Sequence, residues 1–414
     1  MDKNYYITTP IYYPSAKPHM GHAYSSIIAD FFARFKRIDG FNVNFLTGTD
    51  EHGLKIQRAA EEAGVETLQF CDQISQTFRD LSKTLNLTNT DFIRTTEKRH
   101  KESVQYLWKE LEKNDEIYLS KYSGWYSVSD EAFYNDNEIE TVDGRKQAIS
   151  SKSNVEWVNE ESYFFRLSKW EKPLLKYYED NPNFILPMSK KKEVISFVKN
   201  GLKDLSISRK SFSWGVKVPD NNDHVIYVWL DALTNYLSAL NYPNSSDELY
   251  KNFWPADIHL IGKDILRFHA VYWPAFLMAS KIPLPKKIYG HGWILSGDEK
   301  MSKSKGNILD PLEIINVYGL DPLRYYLLKE VSFGNDGNIS EEKLENCINS
   351  DLANNFGNLC QRVLSFAEKN CSSLIPDHKF NDEDLEILKP FNNLDKIRLF
   401  IDNQDINQYM SFIV

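Results

Sequence analysis

The chain has 414 residues, 42% hydrophobic, 26% charged and 14% aromatic, which excludes intrinsic disorder and leaves room for about two to four packed domains. Four cysteines are too few for a disulfide framework. No apolar run reaches the ~18 residues of a membrane span, and the opening residues lack the basic and apolar regions of a secretory signal. A cytoplasmic protein without a membrane partner is expected. The net charge of −9 argues against a general nucleic-acid binder, without excluding local basic clusters.

Tyr5 to Thr9 alternates β-branched and aromatic residues and is predicted as a strand. Pro10, Pro14 and Pro18 enforce a loop. Ala23, Ile27, Ile28, Phe31, Phe32 and Phe35 then recur at helical spacing until Gly40. Asn42 to Thr47 reads as a second strand, leading into Thr49-Asp50-Glu51-His52-Gly53. This is a βα unit of a parallel sheet in an α/β fold, with ligand groups expected at the carboxyl ends of its strands. Residues 116–224 are polar, aromatic and turn-rich, and look like an insertion splitting that sheet. Ile258 to Ile261 resumes it and runs into Gly262-Lys263-Asp264, with a helix predicted over Ile265 to Met278. Ile288 and Tyr289 begin another strand before the turn Gly290-His291-Gly292-Trp293. From Ser340 onward the pattern is helical, with no strand signal.

Two motifs carry chemistry. Pro18-His19-Met20-Gly21-His22 joins a strand to a helix start; two imidazoles, a glycine and a helix N-terminus make a polyphosphate cradle. Alone, it reads equally well as a histidine cap with a packing glycine. Lys300 to Asn307 is a small-residue loop with three lysines, able to neutralise charge developing on a triphosphate. Alone, it reads more readily as a solvated basic loop.

Together the two resemble the signatures of the class I aminoacyl-tRNA synthetases: His19-Met20-Gly21-His22 stands for HIGH, and Lys300 to Ser304 spells KMSKS. Thr8 to Tyr13, Thr47 to Gly53, Ser206 to Arg209, Tyr227 to Ala232 and His259 to Asp264 look specifically like the methionyl-tRNA synthetase family. The resemblance implies a Rossmann-like parallel sheet split by a connective insertion. A KMSKS and stem-contact region and an incomplete α-helical bundle would follow. The implied boundaries are 1–115 and 225–297 for the two catalytic halves, 116–224 for the insertion, 298–345 for the KMSKS region and 346–414 for the bundle.

By the same resemblance, the protein activates L-methionine with ATP and Mg²⁺ and transfers it to the 3′ end of its tRNA. The methionine ammonium would lie on Asp50 and the Ile11 carbonyl. Its thioether would lie in a wall of Ile11, Tyr13, Trp229, Ala232, Leu233, Tyr236, Ile265 and His269, with the Tyr236 hydroxyl donating to sulfur. Ile265 and His269, four apart, would share one helix face, as would Trp229 and Tyr236. Arg209 would meet a carboxylate or phosphate. Gly262 and Asp264 would hold the ribose, and His291, Gly292, Trp293 and Ile294 the adenine. His19, Gly21, His22, Lys300, Lys303 and Ser304 would hold the phosphates, with His19, His22, Lys300 and Lys303 catalytic. Asn358 and Arg362 would contact the anticodon, and a monomer is expected. The rival readings are a tRNA-independent HIGH-family adenylating enzyme and a non-catalytic tRNA-binding relative.

Two departures stand out. Many family members carry zinc knuckles of Cys-x-x-Cys type in the insertion, whereas residues 101–223 here contain neither Cys nor His. No zinc is therefore expected, and the knuckle, where Trp125 to Asp130 replaces the cysteines, would rest on aromatic packing. The chain also ends at Val414, short of the family's full bundle, so a truncated anticodon reader is expected.

Overall fold

A computed structural model describes residues 3–296, 299–300, 310–375, 377, 379–389 and 393–413. The chain divides into two compact units, one of Met1–Pro18 with Ala29–Gly290 and the other of His19–Ile28 with His291–Val414. No helix among the described residues is long and apolar enough to cross a membrane.

The first unit is built on a six-stranded parallel sheet. Its strands are β1 (Asn4–Thr8), β2 (Asn42–Thr49), β3 (Asp91–Arg94), β4 (Ile185–Leu186), β5 (Ile258–Gly262) and β6 (Ile288–His291), in the order β3-β2-β1-β5-β6-β4. The central strands are almost wholly buried, as a sheet covered on both faces requires. β1 pairs with β2 on one side and β5 on the other, Thr8 lying opposite Leu46 and His259. The order reverses between β1 and β5, so the crossovers leave in opposite directions and a crevice opens at the carboxyl ends of this pair. β2 continues two residues beyond the predicted strand, carrying the sheet to the edge of Asp50.

The stretch read as an insertion contains a separate antiparallel sheet. Ile117–Ser127 and Glu156–Phe165 form its long central pair, flanked by Ala132–Tyr134 and Leu205–Ser206. A hairpin, Ile139–Val142 with Arg145–Ala148, turns at Asp143 and Gly144, both at positive φ as such a turn demands. β4 lies within the same stretch of sequence yet joins the edge of the main sheet beside β6.

The predicted helix over Ile265 to Met278 is present, led in by a short 3₁₀ turn, Lys263–Ile265, and carrying one π-helical turn, Phe268–Tyr272, that runs directly into the α-helix Trp273–Ala279. Pro274 has no N–H to give the Ala270 carbonyl, so the regular α pattern widens there. The Tyr178 hydroxyl satisfies that carbonyl at 2.5 Å.

In the second unit Ile294–Ser296 pairs with Glu299–Lys300 on one side and with Gly337–Ile339 on the other. Pro311–Tyr318 and Leu320–Lys329 follow as helices; after Ile339 every described element is helical. The helix Ile406–Ile413 returns onto Leu320–Lys329, where Asn407 donates to the Lys329 carbonyl (3.1 Å) and accepts from the Phe333 amide (3.0 Å).

Candidate active site

The loop after β1 keeps pairing with β2 although its prolines exclude a regular strand. The Tyr12 amide donates to the Gly48 carbonyl (2.8 Å) and the Asp50 amide to the Tyr12 carbonyl (2.9 Å). This extended ladder sets Ile11 and Tyr13, both half-buried, on either side of the residue that pairs beside Asp50. Asp50 is itself buried, and its Oδ1 has no hydrogen-bond partner. Burial first, then the charges of Asp231 and Glu131, push its pKa well above the usual carboxylate range. A desolvated carboxylate with an open oxygen is a receptor for a cation.

Behind it lies a network that the motif reading passed over. Asp231 accepts from His52 Nδ1 (2.7 Å) and His100 Nε2 (2.8 Å), and His100 Nδ1 meets Ser238 Oγ at 2.9 Å. Burial alone would raise the Asp231 pKa, but the two imidazoles hold it down at about 2. The available signal was a lone aspartate inside the apolar stretch Val225 to Leu240.

The aromatic wall converges on His269. Trp229 stacks on Phe268 with centroids 3.7 Å apart and planes 4° from parallel, and its ring centre is 6.2 Å from that of His269. Trp229, Ala232 and Leu233 sit on the helix Val228–Leu233 and Tyr236 on Asn235–Ser238; a turn at Thr234 separates the two, and both rings still meet His269. Tyr236 lies over His259 (4.0 Å, 25°) and its hydroxyl is 2.7 Å from His269 Nε2. His269 Nδ1 in turn is 3.0 Å from the carbonyl of the half-buried Ile265. A carbonyl only accepts, so Nδ1 carries a proton. Burial lowers the His269 pKa to about 4, so Nε2 is bare at neutral pH and takes the Tyr236 proton. The expected Tyr236 donation to sulfur is thus diverted to His269 in this arrangement.

Arg209 is no surface residue: it is 1% exposed, on the short strand Ser208–Arg209. Nη1 reaches the Ser206 hydroxyl (3.1 Å) and the Ser208 carbonyl (2.9 Å), while Nε and Nη2 are buried without hydrogen-bond partners. Phe133 and Tyr126 enclose the guanidinium at 4.0 and 4.7 Å, and Glu160 is 3.5 Å away. Gly262 closes β5, and a side chain there would stand 2.6 Å from Oδ1 of the exposed Asp264.

The second unit carries the histidine pair. His19 Nδ1 accepts the Gly21 amide and His22 Nδ1 accepts the His19 amide, each at 3.0 Å. Both rings are therefore bare at Nδ1 and protonated at Nε2 when neutral. Burial, then the neighbouring His19, lowers the His22 pKa well below the usual value. A Cβ on Gly21 would lie 2.9 Å from the His19 ring, so the fold-back needs glycine. Gly292 meets the Asn335 backbone so closely that a Cβ would sit 2.0 Å from its carbonyl oxygen. His291 Nδ1 lies 2.8 Å from the Gly292 carbonyl and Nε2 2.7 Å from Ser25 Oγ. The Trp293 amide donates to Asp336 (2.9 Å) and its carbonyl accepts from Gly337 (2.9 Å); Ile294 pairs opposite Gly337. Of the basic loop, Lys300 ends a short strand, and Lys303 and Ser304 lie outside the described residues. Asn358 and Arg362 are exposed, one turn apart on the helix Asn358–Cys371.

Among the described residues no group of three or more His, Cys, Asp or Glu side chains could hold a metal ion. Where a zinc knuckle would stand, the Asp130 carboxylate accepts from the hydroxyls of Tyr134 (2.7 Å), Ser151 (2.5 Å) and Ser153 (2.7 Å). Aromatic packing is present too, Trp125 lying 4.9 Å from Trp157, but the cross-link between loops is this hydroxyl cluster.

The profile of the family described as tRNA synthetases class I (M) matches residues 5–146 and 144–364. Methionine--tRNA ligase of Rickettsia felis is 55% identical over 376 residues, 91% of this chain and 72% of that protein. That of Rickettsia bellii is 51% identical over 419 residues, covering all of this chain and 81% of its relative. Among solved structures, Mycobacterium tuberculosis methionyl-tRNA synthetase in complex with methionyl-adenylate superposes with a TM-score of 0.97 at 49% identity, covering 99% of this chain and 81% of that one. The apo form of the Mycobacterium tuberculosis protein gives 0.88 at 45% identity, covering 100% and 79%.

Proposed function

We infer the reaction from one premise: the chain belongs to the class I (M) family of tRNA synthetases. Its activity is methionine–tRNA ligation, by way of methionyl-adenylate. The observation that carries the assignment of roles is the open, buried oxygen of Asp50 at the carboxyl end of β2.

In this reading the methionine ammonium rests on Asp50 and the Ile11 carbonyl. The side chain enters between Tyr13, Trp229, Ala232, Leu233, Tyr236, Ile265 and His269. A thioether is polarizable and uncharged, so aromatic and imidazole faces suit it. One methylene more or less is worth only ~1–3 kcal/mol in such a pocket, so shape must do most of the sorting. The methionine carboxylate attacks the α-phosphorus of ATP in line and pyrophosphate leaves. The Nε2–H groups of His19 and His22 donate to phosphate oxygens, and Lys300, Lys303 and Ser304 neutralise the charge that develops there. Gly262 and Asp264 take the ribose, and His291, Gly292, Trp293 and Ile294 flank the adenine. The two unpartnered nitrogens of Arg209 suit a carboxylate or phosphate. No side chain acts as a nucleophile; positioning and charge stabilisation supply the rate. A ribose hydroxyl at the tRNA 3′ end then accepts the methionyl group, with Asn358 and Arg362 on the anticodon.

Mg²⁺ arrives with ATP. No structural zinc is inferred in the insertion, because residues 116–223 hold neither the Cys nor the His that such a site is built from. A reducing cytoplasm suits its four free cysteines, and a monomer remains part of the proposed reading.

Methionine-dependent ATP–pyrophosphate exchange, followed by charging of tRNA, tests the reading. Exchange and charging together are expected. Exchange without charging would mark a tRNA-independent adenylating enzyme, and neither would mark a binding relative. Arg362→Ala should weaken charging by about tenfold and leave exchange unchanged.

A further inference from the structure

One carboxylate of the connective region reaches into the first unit's site. Glu131 stands between the strands Ile117–Ser127 and Ala132–Tyr134, at a φ of 49° that non-glycine residues seldom adopt. It is 4% exposed. Its Oε1 accepts the Lys55 amide at 3.1 Å and lies 3.1 Å from the Tyr13 hydroxyl, which also reaches the His52 carbonyl in the same turn at 2.7 Å, while Oε2 takes the Tyr126 hydroxyl. Its carbonyl accepts the Tyr227 hydroxyl at 2.8 Å.

These contacts meet at the turn that carries Asp50. The helix Leu54–Ala63 opens at Gly53 with no side-chain cap of its own, so Glu131 serves as its cap from 76 positions away. An anion at a helix N-terminus is favoured by the orphan amides and the helix dipole. Gly53, at φ 103°, leaves the space: a Cβ there would lie 2.6 Å from the Tyr13 hydroxyl and 2.8 Å from Glu131 Oε1. The Lys55 ammonium binds the Ser129 carbonyl at 3.2 Å, fastening the same two segments a second time.

We propose that Glu131 is a positioning residue for the amino-acid substrate: from the connective region it caps the helix that follows the Asp50–Gly53 turn and holds that turn and the Tyr13 ring in register. The proposal rests on the reading of Asp50 and Tyr13 as methionine contacts.

Three carboxylate charges act on Asp50 through space: Asp231, then Glu131 and Glu51. Asp231 is held by His52 and His100, and Glu51 by Arg94 at 2.6 Å. Glu131 has only hydroxyls and an amide in hydrogen-bond contact, with the Arg209 charge acting on it through space. It is therefore the least neutralised of the three. Coupled carboxylates lose protons as a pair; removing the Glu131 charge lets Asp50 ionise at lower pH.

Methionine-dependent ATP–pyrophosphate exchange by the whole chain, followed from about pH 5.5 to 9, tests this. Glu131→Gln keeps the shape and removes the charge. It should leave the methionine KM within about threefold at pH 8 and move the acidic limb of kcat/KM for methionine down by about half a pH unit or more. Glu131→Ala should raise the methionine KM about tenfold or more, with the ATP KM within about twofold. Wild-type KM values and an unmoved limb in both variants would overturn the proposal. So would an alanine variant that raises both KM values equally, the mark of general loosening. An Asp50→Asn control with unchanged methionine KM would instead overturn the site reading underneath.

Discussion

Tyr236 gives its hydroxyl proton to His269, so in the proposed pose the sulfur of methionine would meet the Tyr236 ring and oxygen lone pairs without that O–H. Tyr236→Phe should therefore lower kcat/KM for methionine and for norleucine, its sulfur-free isostere, in parallel. The ratio between them should stay within about threefold. Exchange assays with the two amino acids check this; a ratio that collapses about tenfold would identify the hydroxyl as the sulfur donor.

The same ring predicts an acid-sensitive fold. Burial holds His269 neutral, with its pKa at about 4 against an ordinary 6.5. A group whose folded pKa is lowered contributes its stability fully above the unfolded value and loses it as pH falls toward the folded one. That window runs from 6.5 down to about 4, and a shift of this size is worth on the order of 3 kcal/mol. Urea melts at a series of pH values should show stability falling across the window, and His269→Gln should flatten the slope.

Asp50 works the other way. Buried beside Asp231 and Glu131 with one oxygen open, it destabilises the free protein at neutral pH. Asp50→Asn should raise stability by about 1–3 kcal/mol while raising the methionine KM about a hundredfold or more. Thermal melts paired with exchange kinetics check both. Loss of stability together with loss of affinity would mean that the carboxylate is structural.

His22 can be dissected by its two nitrogens. Asparagine places an amide near the Nδ1 position, which accepts the His19 N–H; glutamine places one near Nε2, the other ring nitrogen. If the Nε2 donor stabilises the transition state, His22→Gln should retain about tenfold or more activity over His22→Asn. Single-turnover formation of methionyl-adenylate gives the comparison, and equal losses would assign His22 to holding the loop alone.

Asp130 takes the place a metal would have in the knuckle. Asp130→Ala leaves the Tyr134, Ser151 and Ser153 hydroxyls without their acceptor and should destabilise the insertion by about 1–2 kcal/mol. Chelation with excess Mg²⁺ present should change neither melting nor exchange. Stoichiometric zinc by elemental analysis would refute the metal-free reading.

The parts legible in the chain were those written locally. β1, the following helix and β2 show their periodicity within a few residues; Asp50 and Arg209 fall inside contiguous motifs, and Tyr236 and His269 lie a few residues beyond them. What escaped depends on distant partners. His52 and His100 meet Asp231 across 179 and 131 positions, and no short window shows that. Glu131 looked like one more acidic residue of a polar loop until its cap on the helix Leu54–Ala63 came into view. The helix over Ile265 to Met278 was legible from its spacing, but its π-helical turn was not, because hydrophobic spacing does not register the missing N–H of Pro274. Ile185–Leu186 is too short for any alternation to register.

That two-residue strand makes the connective stretch impossible to lift out as a cassette. It leaves the main sheet to build its own antiparallel layer, then comes back to seal the outer rim beside Ile288 and Tyr289. Excising the whole stretch would strip the rim and bare a row of amides and carbonyls ready to recruit a foreign strand. A minimised version of this catalyst must therefore shorten the hairpin Ile139–Ala148 and spare the return at Ile185, or it will trade a smaller chain for a sticky one.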